Sequence, residues 1–500
     1  MLISGLAAVF TPTTLILIII GVIIGIVFGA IPGMSAAMAV ALCLPISFGF
    51  EPVEGISLLL GLYIGGISGG LISAILLNMP GTPSSIATTF DGAPMAKNGQ
   101  AGKALGVGIV YSFLGGLVSI LLLMFLSPPI AKISLKFSPY EYFSVSIFAL
   151  TMIASLSEQS MAKGLLSGMV GVSMAMVGVA PIDSYKRFTF GSHDLEIGFA
   201  LLPVLVGLYA ISEVITTAED KGVVTSDNIV DFEIRGFGFT MREFREQFIN
   251  FVRSSLIGTG IGILPGIGGG TSNIIAYVTA KSQSKHPEKF GTGIIDGIVA
   301  SETSNNASIG GALIPLLTLG IPGDTVTAML LGGLMIHGIT PGPMLFRTNG
   351  DLIYSIFAAL LVANVVMLIL EFFGMRIFVN MLKVPKNILL SVIVVLCVVG
   401  AFANNNRIFD AYAIVIFGIV GYILIKIKYP LPPVILGFIL APIIETNLRR
   451  GLMLSKGSMS PFFTKPISAT FLAIAALSVL ISIIKEIRKR KKSVDKTAAI

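Results

Sequence analysis

Apolar residues along this chain come in long blocks, and the polar residues between them are few and clustered. The runs at 14–30, 107–126, 352–373 and 388–402 each approach or reach the roughly 20 residues with which a helix crosses a bilayer. Barrel strands need only about ten residues and would show alternation, so these blocks predict helices. With the runs at 36–50, 52–77, 142–155, 165–180, 199–216, 412–425, 433–444 and 467–484, they predict about eleven to thirteen helical passes, some of them broken.

Proline and glycine interrupt several of these blocks, and such breaks free backbone groups that only protein or a water-lined cavity can satisfy. Four breaks stand out: Pro32-Gly33 before Ser35; Pro80-Gly81 before Thr82, Ser84 and Ser85; Pro265-Gly266 before Thr271, Ser272 and Asn273; and Pro322-Gly323 before Asp324. They fall in pairs. The run GAIPGM from Gly29 matches GILPGIG from Gly262 with a shift of 233, and NMPGT from Asn78 matches GIPGD from Gly320 with a shift of 242. The nine-residue difference fits a polar insertion at 281–289. Interrupted hydrophobic segments at corresponding places in two halves point to a transporter binding site. The expected fold is therefore an all-α polytopic membrane protein with broken or re-entrant helices and two pseudo-symmetric repeats. Their inverted topology is an expectation from transporter precedent. The organisation reads as a first membrane repeat at 1–216, a polar connector at 217–253, a second repeat at 254–484 and a basic tail at 485–500. The end of the connector, 241–252, is amphipathic, with Phe244, Phe248, Phe251 and Val252 on one face, and predicts a helix lying in the interface plane.

Composition agrees with a membrane protein: only 12% of residues are charged and mean hydropathy is +0.93, against about 25% charged in soluble domains. The net charge of +7 is concentrated. Residues 485–496 hold seven basic and two acidic side chains, which predicts a cytoplasmic C-terminus by the positive-inside rule; a nucleic-acid partner is the weaker reading of that tail. The N-terminus lacks a basic leader and predicts no cleavable signal peptide. Cys43 and Cys397 sit in apolar runs and read as core residues.

The chemistry gathers in Ser301 to Asp324, SETSNNASIGGALIPLLTLGIPGD. Glu302, Asn305 and Asn306 are spaced i, i+3 and i+4 and share one helix face. A carboxylate inside a span is costly and usually has a partner or a task. Helix starts present free N–H groups and a positive dipole end, so hydroxyls and amides just past the breaks suit an anion. Ser35, Thr82, Ser84, Ser85, Thr271, Ser272 and Asn273, with the Pro-Gly pairs themselves, are the candidate substrate site. Glu302, Asn305, Asn306 and Asp324 are the candidates for Na⁺ or H⁺ coupling. The competing reading is that these groups only cap broken helices. No P-loop is present, and His193, His286 and His337 show neither triad nor metal-pair spacing, so an enzyme, a structural metal and a cofactor are all without support.

The order of motifs resembles the large permease subunit of tripartite tricarboxylate transporters, the TctA type. The residues that carry it are GAIPGMSAAMAVALCLP at 29–45, NMPGTPSSIATTFDGAPMAKNG at 78–99, GILPGIGGGTSNIIAY at 262–277, KFGTG at 289–293, SETSNNASIGGALIPLLTLGIPG at 301–323 and GITPGP at 338–343. The resemblance implies a multi-pass protein of a bacterial or archaeal cytoplasmic (inner) membrane. It further implies a small four-helix membrane subunit, an extracytoplasmic solute-binding protein, and cation-driven import of citrate-like or other organic carboxylates. A channel, a non-transporting scaffold or a membrane enzyme are the rival functions.

Overall fold

A computed structural model describes residues 2–155, 160–219, 238–381 and 386–498 of the chain. It is helical nearly throughout. The strands among the described residues are two antiparallel pairs of residues, Gly178–Val179 against Lys186–Arg187. Among the described residues, eight helices are long and apolar enough to cross a membrane, and four shorter apolar helices accompany them, including Ala36–Ser47 and Thr325–Ile336. The central Ile295–Leu319 helix is 25 residues long but too polar to be among those eight. Its neighbours are protein, so it has no need of lipid-compatible side chains.

The local causes of the breaks are visible. Thr11 caps Pro12–Ala30 by accepting the Thr14 amide, and Pro12 starts that helix where no N–H is needed. It stops at Ala30, Gly33 turns the chain at φ +87°, and Ser35 caps Ala36–Ser47 by accepting the Met38 amide at 3.2 Å. Pro52–Ser68 bends at Gly69 into Gly70–Leu76. Beyond Pro80-Gly81 a single turn, Pro83–Ser85, leads into Ile86–Met95. In the second half Phe248–Gly262 stops before Pro265, Gly268–Gln283 follows, and Ile295–Leu319 ends on Gly320 in the left-handed region.

Two buried helices, Pro52–Ser68 and Ile295–Leu319, carry the interior. Each is held by glycines at which backbones touch. A side chain on Gly25 would strike the Leu62 carbonyl, and one on Gly258 the Ser304 carbonyl. Gly29 faces the Gly66 carbonyl as Gly262 faces that of Ser308; Gly69 faces Ile26 as Gly311 faces Thr259; Gly81 faces Gly29 as Gly323 faces Gly262. Every one of these pairs obeys the shifts of 233 and 242 read from the sequence. Small residues let backbones approach this closely, and dispersion with Cα–H···O contacts then holds them.

The connector is described at 217–219 and from Gly238, and residues 220–237 lie outside the described part. Thr240 caps Met241–Glu246 through a reciprocal bond with Glu243. Phe244 and Phe251 pack on the Tyr111 ring, with centroids 6.0 and 6.1 Å away, while Phe248 and Val252 of the same expected face remain exposed. The helix is thus bent at Gln247 and partly docked on protein. Lys103 bonds Glu243 at 2.5 Å and holds its carboxyl below the usual range. The last helix runs Pro466–Ala498 and is mostly exposed along its apolar part, as a lipid-facing helix would be. The side chains of the basic run at 485–500 lie outside the described ones.

Candidate functional site

The segments flanking the four breaks adjoin in two pairs. Gly81 sits against the Gly29 carbonyl, and Gly70 against the hydroxyls of Thr82 and Ser85, which joins the first two. The Gly266 amide donates to the Gly323 carbonyl at 2.6 Å, and Gly268 packs on Asp324, which joins the second two. The halves then exchange partners. The Ile86–Met95 region packs on Gly268–Gln283, and Thr325–Ile336 packs on Ala36–Ser47.

At the first of these crossings two helix starts meet. Gly269 lies so close to Asn305 Oδ1, Ser308 Oγ and Ser84 that a Cβ there would come within 2.7 to 3.1 Å of them. Asn273, one turn on, donates from Nδ2 to the Ser84 carbonyl. Ser272 Oγ donates to the Gly269 and Ser304 carbonyls, at 3.1 and 3.3 Å. Thr82, Ser84, Ser85, Ser272, Asn273 and Asn305 are all buried, whereas Pro80 and Pro83 are exposed and Thr271 is half-buried, so the cluster has an open side. The start at Gly268 has no side-chain cap, whereas Ile86 continues the Pro83–Ser85 turn that Thr82 caps. The N–H groups and dipole end at Gly268 are therefore the ones without a side-chain partner. The oxygens Asn273 Oδ1, Asn305 Oδ1 and Asn306 Oδ1 are buried without a hydrogen-bond partner, as are the hydroxyls of Thr303 and Ser304. Buried polar atoms are nearly always satisfied; Asn305 Oδ1 beside Gly269 and Asn273, which holds the Ser84 turn, lie at this crossing, whereas Thr303 backs on Gly115 and Ser304 on Gly258.

The second crossing is closed. Asp324 caps Thr325–Ile336 by accepting the Thr327 amide at 2.7 Å, and Tyr63 donates its hydroxyl to Asp324 Oδ2 at 2.5 Å. Thr82 and Ser85 form the equivalent reciprocal cap in the first half, 242 residues earlier, with no acid. Glu302 is completely buried but provided for. Thr88 donates to Oε1 at 2.5 Å and Ser112 to Oε2 at 2.9 Å. Asn306 Nδ2 donates to the Glu302 carbonyl at 3.2 Å, and Asn305 Nδ2 to the Ile67 carbonyl at 3.4 Å. The three residues thus share a helix but serve different neighbours.

The structure accordingly gathers Thr82, Ser84, Ser85, Ser272, Asn273 and Asn305, with Thr271 at the rim. Gly81, Pro265, Gly266, Pro322 and Gly323 shape the breaks behind them, and Pro80 lies exposed beside them. Pro32 and Gly33 stand apart: the Gly33 carbonyl accepts from Thr217, and Ser35 is occupied as a cap. Sequence reasoning missed Tyr63, Thr88 and Ser112, none of which carries a local signal. It also missed two acids. Asp91, fully buried, accepts the amides of Gly291 and Gly293 at 2.9 Å and of Ile294 at 3.2 Å, and takes the Tyr277 hydroxyl at 2.9 Å. Glu371 is fully buried beside Ser68. Its signal was a lone acid in the apolar run 352–373. Among the described residues no group of three or more His, Cys, Asp or Glu side chains could hold a metal ion.

Comparison with known proteins agrees with this architecture. A protein of Agrobacterium vitis described as an "uncharacterized 52.8 kDa protein in TAR-I ttuC' 3'region" is 35% identical over 491 residues, covering 98% of this chain and 97% of that one. A second from the same organism, an "uncharacterized protein in TAR-II ttuC' 3'region", is 37% identical over 237 residues, or 47% of this chain and 98% of its own length. No solved structure matches. The model of the tripartite tricarboxylate transporter TctA family matches residues 15–436, which includes all four breaks and both crossings. That family consists of transport proteins and not enzymes, and the chain belongs to it as the large membrane subunit of a tripartite tricarboxylate transporter.

Proposed function

We propose that the chain is the permease of a secondary active importer of organic carboxylates of the citrate type, driven by Na⁺ or H⁺. An extracytoplasmic solute-binding protein would deliver the substrate, and a small four-helix membrane subunit would complete the membrane part. The cytoplasmic (inner) membrane, with the C-terminus on the cytoplasmic side, is the setting this reading requires.

The observation that carries it is the meeting of two helix starts among buried hydroxyls, the neutral Thr82-capped turn leading into Ile86 and the start at Gly268, which has no side-chain cap. A carboxylate held there would take N–H groups from both starts and hydroxyls from Ser84, Ser85, Thr271 and Ser272. Such a site binds an anion without arginine or lysine. The unpartnered amide oxygens of Asn273, Asn305 and Asn306 supply the opposite chemistry, hard acceptors of the kind that ligate an alkali cation. Glu302 adds a negative charge one turn from Asn305 and Asn306. Anion and cation would then stabilise each other in one pocket, which is a physical basis for coupling. The matched glycine contacts support reading 1–216 and 254–484 as two repeats, whose movement about the breaks would alternate access.

Proteoliposomes holding the complete transporter test the reading, with radiolabelled citrate as the probe. Accumulation above the external concentration, collapsed by an ionophore, is expected. Flux that is only downhill would leave a channel as the function.

A further inference from the structure

The geometry points to Glu371 as a second intramembrane acid, one that takes up and releases a proton with Ser68 as its hydrogen-bond partner. The use of that proton for import rests on the transport reading; the protonation itself does not.

Glu371 lies on the Gly350–Met381 helix, on the face that also buries Asn364, Met367 and Met375. No part of it reaches solvent. Its Oε2 accepts from Ser68 Oγ at 2.9 Å, and its Oε1 has no partner. Ser68 is the last residue of Pro52–Ser68, at the bend over Gly69. The preceding carbonyl, Ile67, accepts from Asn305. Asn305 is three residues from Glu302 on the same face. A line of polar groups therefore runs from Thr88 and Ser112 through Glu302 and Asn305 to Ile67, Ser68 and Glu371.

Among the described residues, no lysine or arginine pairs with either acid, and the charge that reaches Glu371 is that of Glu302. A buried carboxylate with half its acceptors unmet and only a like charge nearby needs a counter-charge. A metal ion would require several more oxygens than one serine supplies, and a proton requires none. The step is simple: a proton from water adds to one Glu371 oxygen to give the neutral acid, and its return to water restores the carboxylate. Glu302 differs, since both of its oxygens already accept hydroxyl donors.

The test is infrared difference spectroscopy of the full chain in lipid nanodiscs, titrated with pH. A protonated carboxylic acid adds a carbonyl band that Gln cannot give. Folded Glu371→Gln is expected to lose one component of that band, and Ser68→Ala, which keeps every titratable group, is expected to move its midpoint. A Glu371→Gln spectrum identical to the wild type overturns the proposal. So does an unmoved midpoint in Ser68→Ala, which decides the matter if the Gln variant does not fold. In proteoliposomes, Glu371→Gln is expected to lose citrate accumulation driven by a pH gradient, and retained accumulation would overturn the assignment. A wild type that moves no citrate would count against the carboxylate reading, and the infrared result would still decide on the proton.

Discussion

Asp91 is the sharpest test of how the two halves are joined. It ties the Ile86–Met95 helix of the first half to the loop before Ile295 in the second. Replacing it with Ala removes one acceptor from four donors: the Tyr277 hydroxyl and the amides of Gly291, Gly293 and Ile294. A hydrogen bond to a charged group contributes about 1.5–3 kcal/mol, and that figure suits the buried Tyr277 bond. The three amides lie in an exposed to half-buried loop and can turn to water, so each loses about 0.5–1 kcal/mol. The total is about 3–6 kcal/mol. Asp91→Asn keeps an oxygen for the amides and loses only the charge assistance, roughly half of the interaction. Thermal unfolding of the purified protein should therefore rank wild type above Asn and Asn well above Ala. Hydrogen exchange should localise the loss, with the amides of 291–294 exchanging at least about tenfold faster in the Ala variant. Equal melting of Ala and wild type would refute the tie. Exchange that accelerates elsewhere but not at 291–294 would refute its location.

Other expectations follow from the same contacts. Glu302→Gln and Asn305→Ala should reduce coupled uptake while folded protein still reaches the membrane; normal coupled transport in both would remove them from the mechanism. Gly29→Val and Gly262→Val each push a side chain into a carbonyl of the facing helix, at Gly66 and Ser308. Each should cost about 1–3 kcal/mol by overpacking, and similar losses of thermal stability at the two sites would fit their equivalence. The depressed Glu243 carboxyl, held down first by Lys103, contributes stability that is present above the ordinary glutamate range and is lost as pH falls through its lowered value. Loss of protection at the 241–246 amides should thus appear only in acid, and Lys103→Met should weaken that pH dependence, leaving the part held by Thr240.

Much of the frame could be read from the chain because its signals are local. Pro-Gly pairs stop helices wherever they occur, and Ser35, Thr82 and Asp324 cap the next segment as their residue types predict. The i, i+3, i+4 spacing placed Glu302, Asn305 and Asn306 on one buried helix. What that spacing could not show is that the three would divide their partners among Thr88, Ser112, Ile67 and the carbonyl of Glu302 itself. Tyr63 reaches Asp324 across 261 residues and Tyr277 reaches Asp91 across 186, and no periodicity encodes such a pair. The number of passes was hard to read for a related reason. Hydropathy measures fitness for lipid, whereas Ile295–Leu319 faces almost only protein.

The two crossings are alike in backbone but differ in charge, and the proposed function puts the anion at the uncharged one. At Thr325 the helix start is already met by a carboxylate, that of Asp324, steadied by Tyr63. At Pro83 the corresponding cap is Thr82, which is neutral, and the residue matching Tyr63 is Asn305. On the proposed function, the substrate's carboxylate would then do in the first half what Asp324 does in the second. Thr82→Asp tests this directly, because Asp324 shows that the cap geometry accepts an acid there. Two unit charges about 4 Å apart interact by about 4 kcal/mol at the effective dielectric near a protein surface. A fixed carboxylate at position 82 should therefore weaken citrate binding by about a thousandfold in a protein that still folds. Thr82→Asn, similar in size and uncharged, should lose far less. Equal binding by the Asp and Asn variants would show that the anion sits elsewhere.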